Sequence, residues 1–231
     1  MKRFFKVLLI IVLVIVAAAA GLIAWLSIAE YRPEAVEELN FTARDESAPA
    51  LPQGESLTVL SWNIGYAGLG SNADFFMDGG ENVKSSDRVR VESNLLNISQ
   101  LLYGENAPDL VLLQEVDTNS SRTYNIDQSA CLAGANAAHA LNYSCPFVPF
   151  PLPPIGKVNS GVFTTTDYAI DRAERVSLPC PFSWPVNTAN LKRCLLVSYL
   201  PIEGSDRQLV LVNLHLEAYD DGEGKIAQTR Q

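Results

Sequence analysis

"LVLVNLHLEAYDD", Leu209 to Asp221, is the stretch on which the fold turns. Side chains of an extended strand alternate between faces. Val210, Val212, Leu214 and Leu216 therefore share one face, and Leu209, Leu211, Asn213, His215 and Glu217 share the other. The first face is apolar throughout. The second starts apolar and turns polar at Asn213, the pattern of a buried central strand whose C-terminal end opens into a cleft. His215, one of two histidines in the chain, stands just past that transition. Taken alone, the stretch also fits a strand that simply reaches solvent there and carries a surface imidazole.

Two earlier segments repeat the pattern. In "LTVLSWNIG" one face runs Leu57, Val59, Ser61, Asn63, and in "DLVLLQEVD" it runs Val111, Leu113, Glu115, Asp117. Three strands thus carry Asn63, Glu115 and His215 toward their C-terminal ends, where α/β folds place ligands. A helix is expected between the first two strands, from about Ser86. Its stripe is Val91, Leu95, Ile98 and Leu102, and Gly104 and Pro108 end it. A second helix is expected over the alanine-rich run from about Asp127 to Leu141, with His139 near its end as a capping or surface residue. The segment "CPFVPFPLPPIGK" reads as a loop covering the sheet, with rimming a substrate groove as the alternative, and further strands are expected at "SGVFTTTDYAI" and "RCLLVSYLPI", the latter turning through "EGSD" into the opening stretch. Residues 66–84, rich in Gly, Asn and Asp, read as a long loop in which Phe75 to Met77 anchor on the core, with contact to a lipid-like substrate as the alternative.

The leader divides the chain. Lys2, Arg3 and Lys6 precede 23 uncharged residues from Val7 to Ala29, which as a helix span about 30 Å or slightly more. Residues 1–30 are expected to be a membrane anchor with the N-terminus cytoplasmic and the rest of the chain outside. Cleavage near "AAAAG" to give a secreted protein is the alternative. Residues 31–56, acidic and interrupted by proline, read as a tether, and residues 57–231 as the domain. With the three leader charges set aside, 14 basic residues face 26 acidic ones, a net charge of -12. Such a surface disfavours general nucleic-acid binding, which rests on Lys and Arg displacing counterions. Cys131, Cys145, Cys180 and Cys194 allow three disulfide pairings, the sequence-local one closing 131 to 145 and 180 to 194, with free, buried cysteines as the alternative, and they fit no zinc template.

A carboxylate with an amide oxygen suits a hard cation such as Mg2+, with Mn2+ as an alternative, and an imidazole beside it suits a phosphoryl oxygen. On "LSWNIG", "DLVLLQEVD", "NSGVFT" and "LVLVNLHLEAY", in that order, the chain resembles the endonuclease/exonuclease/phosphatase superfamily. The resemblance implies a four-layer α/β sandwich of two packed mixed or antiparallel sheets flanked by helices. It implies metal binding by Glu115 with Asn63 in support, and phosphate contact by His215. It also implies a later Gly-Asp-x-Asn segment and an Asp-His pair, neither of which occurs up to Gln231. The sequence is therefore expected to be the N-terminal portion of an enzyme and inactive as it stands. The resulting expectation is a membrane-anchored, monomeric, Mg2+-dependent phosphoesterase, bound to the bilayer through residues 7–29 and acting on a lipid headgroup or small phosphate ester. A nuclease and a non-catalytic tethered binding module of the same fold are the alternatives.

Overall fold

The computed structural model describes residues 2–44, 47–70, 73–76, 79–84, 87–218 and 222–231. In chain order its elements are α1 (Lys2–Ile28), β1 (Val36–Glu38), β2 (Thr42–Ala43), β3 (Val59–Asn63), α2 (Arg88–Leu102), β4 (Leu110–Asp117), α3 (Gln128–Leu132), β5 (Asn136–Val148), β6 (Gly156–Thr166), β7 (Arg172–Ser177), β8 (Cys194–Pro201), β9 (Gln208–Leu214) and α4 (Glu223–Arg230). The strands make two sheets, ordered β2-β5-β6-β4-β3 and β1-β7-β8-β9. Every pairing is antiparallel except β3 with β4, which α2 connects as a crossover. The fold is α/β, with two packed sheets flanked by helices.

The expected stripe of α2 holds. Val91, Leu95, Ile98 and Leu102 are its buried residues, and they pack with Val111, Leu113, Val116 and Phe163 on one face of the larger sheet. Asp87 caps the helix by accepting a hydrogen bond from the Arg90 N–H at 2.8 Å. Ser86, the expected start, lies outside the described residues, as does Met77. The opposite face of that sheet packs on the smaller one. Ala138, Ala140 and Val162 meet Ala173, Cys194 and Leu196 at one end, and Leu110 and Leu112 meet Leu200 and Leu51 at the other.

That interface corrects the expected helix over residues 127–141. Helix α3 covers only Gln128–Leu132, and the alanines that follow lie on a 13-residue strand paired with β6. Alanine favours a helix by only a few tenths of a kcal/mol per residue. The close approach of two sheets selects small side chains here and outweighs that preference. His139 is accordingly a strand residue, its Nε2 lying 3.2 Å from the Val116 carbonyl oxygen, rather than a helix cap.

The acidic segment 31–56 also differs from a free tether. β1 pairs with β7 at one sheet edge, β2 pairs with β5 at the other, and Leu51 is buried between Pro201 and Glu203, whose backbones it bonds. Sparse apolar residues (Val36, Leu39, Phe41, Leu51) sit among charges, and edge strands need no continuous apolar face. The strands β3 and β9, expected to be central, are sheet edges in this chain, and Val59, Val210, Val212 and Leu214 are exposed. The proline-rich loop after β5 does not cover a sheet, because Phe150 and Leu152 project outward. The four cysteines are unbridged. Cys131 and Cys180 are exposed while Cys145 and Cys194 are buried, and neither sequence-local pair is joined.

Candidate functional site

Strands β3 and β4 run parallel in a register that sets Asn63 beside Gln114, so both strands end together. At that point β4 bulges. Gln114 pairs with Val162 and Val116 with Gly161, leaving Glu115 as the extra residue with φ of 57°. Strict alternation would put Glu115 on the helix-covered face with Val111 and Leu113. The bulge gives that place to Val116, which is fully buried in the α2 cluster, and turns Glu115 toward the strand ends. A left-handed glutamate is uncommon, and its surroundings fix it here.

Asn63 is the principal support. Its Nδ2 donates to Glu115 Oε1 at 2.9 Å, and its Oδ1 accepts from the Gly65 N–H at 2.9 Å. After Ile64 the chain turns through three left-handed residues, Gly65, Tyr66 and Ala67. Glycine is required at the first, since an added Cβ would come within 2.8 Å of Leu69 Cβ. The turn aims the Tyr66 carbonyl at Gln128, whose Nε2 donates to it at 2.7 Å while its Oε1 accepts from the Asp117 N–H at 3.1 Å. One buried amide thus fastens the exits of β3 and β4 together. Asp117 in turn accepts both arms of Arg122, at 3.0 and 2.9 Å, and the guanidinium lies over the Tyr66 ring. Burial opposes the Arg122 charge, and Asp117 more than offsets it.

The other sheet contributes His215. Asn213, two residues earlier, is buried and donates to the carbonyls of Leu113 and Phe163 at 3.0 and 2.9 Å, while its Oδ1 accepts from Gln114 Nε2 at 2.8 Å. These bonds lock β9 across the larger sheet beside the bulge. His215 follows on the same face, with Nε2 3.9 Å from Glu115 Oε1. That separation is too long for a hydrogen bond and leaves the imidazole N–H for another acceptor. The backbone beyond is held by Arg193, which donates to the His215 carbonyl at 3.0 Å and pairs with Glu217 at 3.1 Å, both side chains being buried. Burial lowers the His215 pKa, Arg193 lowers it further, and Glu115 and Glu217 oppose them, so the ring is neutral at neutral pH.

The structure therefore brings Asn63, Glu115 and His215 together. Asn63 stands as the residue that orients Glu115, its amide oxygen being taken by Gly65. The second oxygen of Glu115 accepts no hydrogen bond among the described residues, and no third His, Cys, Asp or Glu gathers with Glu115 and His215 there. Gln128, Asn213, Arg193 and Glu217 complete the support. Of these only Asn213 and Glu217 had a visible signal, standing on the same face as His215 in the opening stretch.

No protein-family model matches the chain, and no curated protein matches it. A crystal structure of an endonuclease/exonuclease/phosphatase from Beutenbergia cavernae DSM 12333 is similar to it at 22% identity over 75% of this chain, with a TM-score of 0.47. The match takes in 42% of that protein, so the chain spans less than half of its length.

Proposed function

We propose that this chain is the membrane-anchored, outward-facing part of a metal-dependent phosphoesterase, acting on a lipid headgroup or another small phosphate ester. The observation that carries the reading is Glu115. A carboxylate on a left-handed bulge, oriented by Asn63 and faced by His215, is a costly local arrangement that packing alone does not need. The donor set fits Mg2+, which takes one or two carboxylates and keeps several waters. Glu115 would hold the ion through the oxygen that Asn63 leaves open, and a bound ion would neutralise charge on the phosphoryl oxygens.

The chain's own residues then divide the work. Asn63 keeps Glu115 from turning away, as an outer hydrogen bond does for a ligating carboxylate. Neutral His215 donates one N–H to a phosphoryl oxygen, and Arg193 with Glu217 holds it where that oxygen would sit. Helix α1 supports the anchor. It is 27 residues long, and its most apolar window, of mean hydropathy 3.3, is wholly unburied by the protein.

The test is hydrolysis of bis(p-nitrophenyl) phosphate by the full-length gene product with Mg2+. Glu115→Gln should lower the rate by about 100-fold or more, the scale on which removal of one charge-stabilising group acts. A variant retaining wild-type Mg2+-dependent activity would refute the assignment.

A further inference from the structure

The anchor does not hang free of the domain. Leu26 is 4% exposed and packs, with Leu22 beside it, against Cys145, Val148, Val158 and Ile155 at the β5–β6 end of the larger sheet. At the next residue, Ser27 Oγ accepts from Trp184 Nε1 at 3.1 Å. Glu30 accepts from Lys192 Nζ at 2.7 Å and from Asn187 Nδ2 at 3.1 Å, its pair with Lys192 being largely buried. The end of α1 is thus fixed to two loops, residues 149–155 and 180–187.

Those loops gather four exposed large apolar side chains in two short segments beside the end of α1. Phe150 is 72% exposed, Leu152 85%, Trp184 65% and Val186 56%. Their level relative to a bilayer follows from the helix. Counting from Val7, the first residue beyond the basic flank, about 30 Å of hydrocarbon takes about 20 helical residues and ends near Leu26. Leu26 and Ser27 lie at the centre of the contact with the domain, between Leu22 and Glu30. The loops beside them therefore sit where hydrocarbon gives way to headgroups, a level that favours tryptophan and other exposed apolar side chains.

Resting on the anchor reading of α1, we infer that loops 149–155 and 180–187 form a collar around the anchor that is immersed in the bilayer interface through Phe150, Leu152, Trp184 and Val186. The collar fixes which end of the domain faces the membrane, and the C-terminal end of β4, which carries the candidate site, points toward that end because Asp117 pairs with Ser160. Strand β6 begins at Gly156, beside the collar, and reaches Gly161 opposite the Glu115 bulge after five residues, about 17 Å of extended chain. On the smaller sheet, Lys192 pairs with Glu30 of the anchor and its neighbour Arg193 bonds the His215 carbonyl. The opposite end, the turn between β8 and β9 that contains Ser205, faces away from the bilayer.

Three tryptophans make the test direct: Trp25, Trp62 and Trp184. The full chain with Trp25→Phe and Trp62→Phe, reconstituted into phosphatidylcholine vesicles, leaves Trp184 as the reporter. The same chain with Trp184→Phe and Ser205→Trp reports on the far end. The protein should float with the vesicles. Lipid brominated near the carbonyl end of its acyl chains should quench Trp184 by about half or more, and the tryptophan at 205 by no more than about a tenth. A chain that floats with Trp184 unquenched, or with both reporters quenched alike, overturns the collar and leaves the anchor standing. A chain that does not float overturns the anchor reading, and the collar with it.

Discussion

Replacing Gly161 tests the bulge on which the candidate site depends. Gly161 faces Val116 on one side and Leu141 on the other, directly across from the extra residue Glu115. A Cβ placed there would lie 2.2 Å from the Ala140 carbonyl oxygen, 2.9 Å from the Ala140 carbonyl carbon and 2.7 Å from His139 Nε2. Heavy atoms at rest stand about 3.5 Å apart, so a backbone carbonyl must retreat by about 1 Å. An imidazole could swing aside, but the β5 backbone is paired with β6 through the same residues. Overpacking of this kind costs about 1–3 kcal/mol and more where backbone must move; we expect Gly161→Ala to cost about 3 kcal/mol. For a chain of this size that lowers the melting temperature by roughly 6–12 °C. Circular dichroism melts in detergent micelles measure it, with Gly70→Ala as the comparison, because a Cβ at Gly70 meets only Asn94 Nδ2 at 4.0 Å. A Gly161→Ala variant melting within about 2 °C of wild type would show that the strand contact at the bulge is not as tight as described.

Two further outcomes follow from buried ionisable groups. Burial lowers the pKa of His139, against the opposing pull of the Val116 carbonyl, Asp127 and Asp117, so the folded ring is neutral where the unfolded one takes a proton. Its contribution to stability is complete above about pH 6.5 and is lost as pH falls from there through the lowered folded value. His139→Gln should therefore flatten the drop in melting temperature between about pH 7.5 and 5.5, and an unchanged drop would refute the role. Arg193→Met leaves the Glu217 carboxylate buried without its guanidinium and should cost about 3–5 kcal/mol in urea unfolding, much of it recovered in Arg193→Met with Glu217→Leu. A single substitution costing under about 1 kcal/mol would refute that role.

Periodicity carried the site a long way because it is a local property. The alternation through Leu209, Leu211, Asn213 and His215 placed these side chains on the face that meets the larger sheet, and the stripe of α2 placed Val91, Leu95, Ile98 and Leu102 inward. The same alternation failed at Glu115. The bulge is defined by two residues opposing one on a partner strand, and no reading of a single strand contains the partner. It failed again for Val210, Val212 and Leu214, since an apolar face shows that burial is favoured and not which surface supplies it.

What the sequence determined by itself is what short-range chemistry settles: an apolar helix bounded by Lys6 and Glu30, and three strands whose ends carry an amide, a carboxylate and an imidazole. What only the tertiary structure decided is every contact made across many residues. Residues 136–148 became a strand because small side chains fit between two sheets, residues 36–43 became sheet edges, and Arg193 found Glu217 across β8 and β9. The gathering of Asn63, Glu115 and His215 belongs to the second kind. Each position was legible alone, but the 2.9 Å and 3.9 Å that join them exist only because hydrogen bonds between strands fix the register of one sheet and Asn213 fixes the other sheet upon it.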